Sequence, residues 1–185
     1  MKKLKLILCL ALGCFLLMGG CVGAQAAGKR QEMDKAKAIA TLQVGFDYSE
    51  AELGKYLDQG MSYKELKNIC MHAFAANVPL QEVVDLRHKY GWTRVKFLLG
   101  LTPQKFYEGE LNYKANRLYK IMGLDKKTSI KYMKLGFASH QVKRASYIAR
   151  HCDVPLIEIL NMKTRQIKWG NVAEQLGLPR DACMK

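Results

Sequence analysis

The chain has 185 residues, 49% of them hydrophobic and 25% charged. That composition excludes a disordered polymer and allows one modest core or two small ones. Thirty lysines and arginines stand against sixteen acids, a formal net charge of +14, which turns the search for partners toward acidic surfaces.

The first element is a secretory signal: a positive head over Met1–Lys5, then an apolar run from Leu6 to Met18 interrupted only by Gly13. Three exits from it compete. Small residues Ala24 and Ala26 flank Gln25 as a signal peptidase site, which makes residues 1–26 the signal and releases a soluble product beginning near Ala27. Leu17-Met18-Gly19-Gly20-Cys21 resembles a lipobox, with Met18 where Leu is preferred; on this reading the signal is 1–20 and Cys21 is the lipidation candidate, the only route to a membrane anchor after cleavage. Left uncleaved, Leu6–Ala24 is nearly long enough to span a bilayer. All three imply export, to the periplasm or the cell exterior.

Residues 27–44 are read as a leading stretch with a helix around Glu32–Val44. The chain then matches itself. Val78-Pro79-Leu80 recurs as Val154-Pro155-Leu156, 76 residues on, and Tyr56, Gly60, Lys67, Ala73 and Glu82 recur at the same offset. One further residue moves Trp92, Val95 and Leu99-Gly100-Leu101 onto Trp169, Val172 and Leu176-Gly177-Leu178. The expected organisation is a first helical repeat over 45–103 and, over 104–185, a connector helix followed by a second, basic repeat. Gaps between matching blocks fall where loops would tolerate insertion.

Each block has helical periodicity. Leu66, Ile69, Ala73 and Ala76 form one stripe, repeated by Val142, Ala145, Ala149 and Cys152. Ser62 with Glu65 predicts a capping box, and Ser139 a weaker cap. Pro79 and Pro155 suit the first turn of the helices that carry Leu80, Val83, Leu86 and Leu156, Ile159, Met162. Gly100 and Gly177 suit left-handed caps after short helices headed by Trp92 and Trp169, both read as core or inter-helix anchors. Pro103–Met122 reads as a helical connector. The fold class is therefore all-α, two tandem copies of a small multi-helix unit after a signal peptide.

The block Trp169-Gly170-Asn171-Val172-Ala173-Glu174-Gln175-Leu176-Gly177-Leu178 resembles the Trp-x-x-Val/Ile-Ala-x-x-Leu-Gly-Leu signature of uncharacterised exported bacterial proteins with tandem helical repeats. The likeness covers most of 45–180, with Lys96 replacing the Ala in the first copy, and implies fold and export but no activity.

Charge is uneven. Residues 45–103 hold seven basic and seven acidic side chains, whereas 104–185 hold sixteen and seven. Candidate polyanion contacts are Lys126, Lys127, Lys131, Lys134, Lys143, Arg144 and Arg150, with Lys163, Arg165 and Lys168 beyond them. The expected partner is a protein or an anionic envelope polymer; a solvated face kept for solubility would hold the same residues.

Catalytic, metal and cofactor readings are not favoured. Cys70, Cys152 and Cys183 allow at most one internal disulfide, and neither they nor His72, His88, His140 and His151 have ligand spacing. Glu82 and Glu158 sit where an acid suits a helix N-terminus. The alternatives carried are a cell-envelope hydrolase and a nucleic-acid-binding helix-turn-helix. For the latter, residues 179–185 are too short for a recognition helix. The leading reading is a non-catalytic exported helical-repeat binding module of the cell envelope.

Overall fold

The structure, a computed structural model, describes residues 34–182. The signal segment, Cys21, Glu32 and Cys183 lie outside the described residues. The chain is all-helical, with ten helices and no strand among the described residues: α1 Lys35–Gln43, α2 Glu50–Asp58, α3 Tyr63–Ala76, α4 Leu80–Lys89, α5 Trp92–Leu98, α6 Pro103–Met122, α7 Lys126–Lys134, α8 Ser139–Ala149, α9 Leu156–Met162 and α10 Trp169–Gln175.

Helix starts follow the self-match of the sequence. α2, α3 and α4 begin 76 residues before α7, α8 and α9, and α5 begins 77 before α10. Helix ends agree where glycine closes them. Gly60 and Gly136 take positive φ after α2 and α7, as do Gly100 and Gly177 after α5 and α10. At each, the next residue's N–H reaches back to the same depth: Met61 to Tyr56 O, Phe137 to Tyr132 O, Leu101 to Lys96 O and Leu178 to Ala173 O. These bonds satisfy carbonyls that a helix terminus leaves open.

Several caps differ from the sequence reading. Ser62 Oγ accepts from Glu65 N at 3.2 Å, but the Glu65 carboxylate turns to Arg87 at 2.8 Å instead of closing the capping box. A charged partner between helices outweighs the local bond. Ser139 is the first residue inside α8, and the cap is Ala138, whose N–H donates to Gln141 Oε1 at 2.8 Å. Pro79 and Pro155 sit one residue earlier than expected, as the N-caps of α4 and α9.

The apolar stripes bury against one another. Leu53, Tyr56, Leu66, Ile69, Ala73, Leu80, Val83 and Val95 form a core over α2–α5, joined by Leu42 and Phe46 from α1 and the loop after it. Ala145, Ile148, Ile159, Leu160, Trp169 and Val172 form a second core over α8–α10. Between them, Leu111, Ala115 and Leu118 of α6 pack with Met133 and Val142.

α6 is the spine between these cores. Its 20 residues extend about 30 Å; the Tyr113 ring enters the first core, stacked on Phe46 at 4.6 Å. Two glycines permit close approach. A Cβ on Gly109 would lie 2.6 Å from Ala75 Cβ, and one on Gly45 would lie 2.0 Å from the Tyr113 ring. Asn116 Nδ2 then donates to the buried Gly45 carbonyl at 3.3 Å. None of the helices over the described residues is long and apolar enough to cross a membrane.

Candidate functional site

Two surfaces gather chemistry. The first begins at the cap of α7, where Asp125 accepts from Thr128 N at 2.8 Å and from Thr128 Oγ1 at 2.9 Å. Those bonds, the backbone one foremost, hold its carboxyl below the usual carboxylate range. Inside the first turn there is no acid; Lys126 and Lys127 occupy it instead, against the positive end of the helix dipole. The corresponding turn of α2 carries Glu50 and Glu52.

On α7, Lys127, Lys131 and Lys134 are exposed and share one face at steps of four and three. Lys126 is also exposed, with Nζ 5.4 Å from the centre of the Tyr119 ring, and Lys131 lies 5.9 Å from that of Tyr132. Lys143 and Arg144 are half-buried on α8, where Tyr147 stacks on His151 at 4.5 Å; Arg150 is exposed at the C-cap. None of these seven cations forms an ion pair with a described residue. The structure thus groups the α7 lysines and sets Lys143, Arg144 and Arg150 on a different helix.

The contrast with the first half is residue by residue. Across the 76-residue offset, Glu50 becomes Lys126, Glu52 becomes Thr128, Asp58 becomes Lys134, Glu65 becomes Gln141 and Asp85 becomes Asn161. Two of these acids anchor the pairs Lys35–Asp58 and Arg87–Glu65.

The second surface was not anticipated as a site. α3, α5 and α6 enclose an open groove of about 540 Å³ lined by Lys67, Met71, His72, Trp92, Lys96 and Phe106, with Glu110 and Lys114 at its edge. His72 is 6% exposed, stacked on Trp92 at 4.3 Å and tilted against Phe106 at 5.0 Å. Nδ1 lies 2.7 Å from Asn68 O, so it carries the proton and donates, leaving Nε2 as an acceptor. Nε2 is buried and has no hydrogen-bond partner. Burial, first, and the charge of Lys96 push the imidazole below its ordinary pKa, against the opposing pull of the Asn68 bond and Glu65. Both tryptophans are expected as core or inter-helix anchors. Trp169 is buried in the second core, and Trp92, half-buried, packs against the first core, stacks on His72 of α3 and walls this groove.

The second buried orphan is Ser129 Oγ. Each orphan stands where the other half is aliphatic: His72 matches Ile148, and Ser129 matches Leu53. Cys70 is buried, and burial followed by the charge of Glu52 pushes its thiol up to about 12. Cys152 is half-buried and donates to Ile148 O at 3.2 Å. No group of three metal-ligating side chains occurs among the described residues. Comparison with known proteins finds no matching family model, curated protein or solved structure.

Proposed function

We propose that this chain is a non-catalytic exported binding module, made of two tandem copies of one helical unit, that engages an anionic polymer of the cell envelope through its second copy. The alternative partner within this reading is a protein with an acidic face.

One observation carries it: Lys127, Lys131 and Lys134 project from a single exposed face of α7 without ion pairs among the described residues. Exposed cations held together without acids repel one another, and two lysines in a first turn oppose the helix dipole, each effect destabilising by a few tenths of a kcal/mol. A surface kept only for solubility does not need such an arrangement, because mixed charges serve that end as well. Support for duplication comes from the recurring helix starts and glycine caps.

The test is binding of the secreted chain to polyphosphate, followed as salt is raised. The affinity is expected to fall steeply, with a log–log slope that loses about 0.7–0.9 for each contact removed, taking nucleic-acid polymers as the guide. Replacing Lys127, Lys131 and Lys134 with Gln should flatten that slope by about two units on the same guide. Binding that ignores salt, or that survives the triple replacement unchanged, removes the polymer version.

A further inference from the structure

The groove on the first half lies apart from the α7 lysines and has its own chemistry. Its walls are aromatic faces, Trp92 and Phe106, on either side of an imidazole. Its rim carries Lys67, Lys96 and Lys114 against the single carboxylate of Glu110, which Lys114 approaches at 3.7 Å. That leaves Lys67 and Lys96 without ion pairs to described residues; Lys96 Nζ sits 4.7 Å from the centre of the Phe106 ring.

His72 is the unusual member. A buried acceptor without a donor destabilises a fold, and Ile occupies the matched position in α8. Lys96 has a matched residue too, Ala173, so the second half lacks both polar groups. Polar features confined to one copy of a shared apolar scaffold mark a specific role for that copy. The volume, about 540 Å³, falls within the range of small-molecule sites.

We propose that this groove binds a planar organic anion, an aromatic or heteroaromatic carboxylate with an O–H or N–H donor. Its ring lies against Trp92 or Phe106, its carboxylate meets Lys67 and Lys96, and its donor bonds to His72 Nε2. Flat faces select a planar body, the rim selects negative charge, and a lone acceptor selects a donor. Nε2 is sealed in this structure, so this bond requires a side chain of the groove lining to move as the ligand enters.

The experiment uses the secreted chain and a set of probes: 4-hydroxybenzoate, benzoate without the donor, 4-hydroxybenzamide without the charge, and cyclohexanecarboxylate without the flat face. Binding is read from amide shifts and from the His72 ring nitrogens by NMR. 4-Hydroxybenzoate should bind saturably, move His72 Nε2 and shift residues of α3, α5 and α6. Each probe lacking one feature should bind more weakly, by about tenfold for the missing donor. His72→Ile and Lys96→Ala each install a residue that the second half tolerates, and thermal melts establish that both variants are folded. His72→Ile should reduce 4-hydroxybenzoate binding to the level of benzoate, and Lys96→Ala should erase the preference over the amide. Polyphosphate binding should be unaffected by His72→Ile, which separates this site from the α7 surface. The proposal is overturned if no probe gives saturable shifts at millimolar concentrations, if the shifts fall on α7 instead, or if His72→Ile binds 4-hydroxybenzoate as tightly as the parent.

Discussion

Residues 45–103 and 104–185 share buried apolar positions and differ in charge, the first balanced and the second basic. At matched positions Leu66 and Val142, Ile69 and Ala145, Val83 and Ile159, and Val95 and Val172 are all buried, although the side chains differ in size. The charges between them mostly do not persist: Glu50, Glu52, Asp58, Glu65 and Asp85 give way to Lys126, Thr128, Lys134, Gln141 and Asn161, while Glu82 is kept as Glu158. Basic side chains rise from seven over 45–103 to sixteen over 104–185. Buried positions are constrained by close packing, while exposed charges are each worth a few tenths of a kcal/mol and can change freely. Apart from a few buried positions such as His72 and Ser129, what diverges on such a scaffold is therefore the surface, where a difference in partners is readily encoded.

The comparison breaks most severely in the core. Leu66→Ala, at a fully buried side chain, should destabilise by about 2–5 kcal/mol, and the smaller matched change Val142→Ala by less. Urea unfolding of both variants checks this, and an equal or reversed order would mean that the two matched sites are not packed alike. Next comes the spine. Gly109→Ala puts a methyl 2.6 Å from Ala75 Cβ, so about 1–3 kcal/mol of overpacking should outweigh the roughly 1 kcal/mol that alanine gains over glycine inside a helix.

The two orphans sharpen the comparison in the other direction. Ser129→Ala removes a buried hydroxyl without a partner and should stabilise by about 1 kcal/mol, visible as a higher melting temperature. His72→Ile should do the same with a pH signature. Because the native imidazole lies below its ordinary value of 6.5, the unfolded chain takes up a proton first as pH falls through that value. Native stability is thus full above it and declines below, opposed by Glu65 and reinforced by Lys96, the charged groups acting on the ring. The melting-temperature gap between His72→Ile and the parent should widen from pH 7.5 to about pH 5. A constant gap would mean that His72 titrates alike in both states. The smallest effect concerns the thiols. Buried Cys70, with its pKa near 12, should react with a maleimide more slowly than half-buried Cys152, as mass spectrometry of tryptic peptides would show.

Much of the helical layout is legible in the sequence, because periodic apolar residues and recurring Pro and Gly punctuation act locally. Leu66, Ile69 and Ala73 announce α3 by spacing alone, and Gly100 and Gly177 announce where α5 and α10 end. The basic tract was legible as composition, but its resolution into an α7 face and a separate α8 set depended on where the helices broke. The groove was not legible. His72 meets Phe106 only because α6 crosses α3 at Gly109, and nothing near His72 in the sequence encodes that crossing. Trp92 and Trp169 look alike in sequence; Trp169 is buried, and Trp92 walls the groove that α3, α5 and α6 form. The caps lie one residue earlier than the sequence reading at Ser139 and at both prolines, and at Ser62 the Glu65 carboxylate leaves the capping box for Arg87 on another helix.

The account turns on the exchange of acids for lysines between α2 and α7. The direct measurement places acids at the two α7 positions where a lysine replaces an acid of α2, Lys126→Glu with Lys134→Asp, and compares polyphosphate affinity and salt slope with the parent at equal folded fraction. The expected result is a folded protein, destabilised by no more than about 1 kcal/mol, whose binding is largely lost and whose remaining salt dependence is shallow. A folded variant that binds as tightly as the parent, with the same slope, would contradict the assignment of the second half as the binding face.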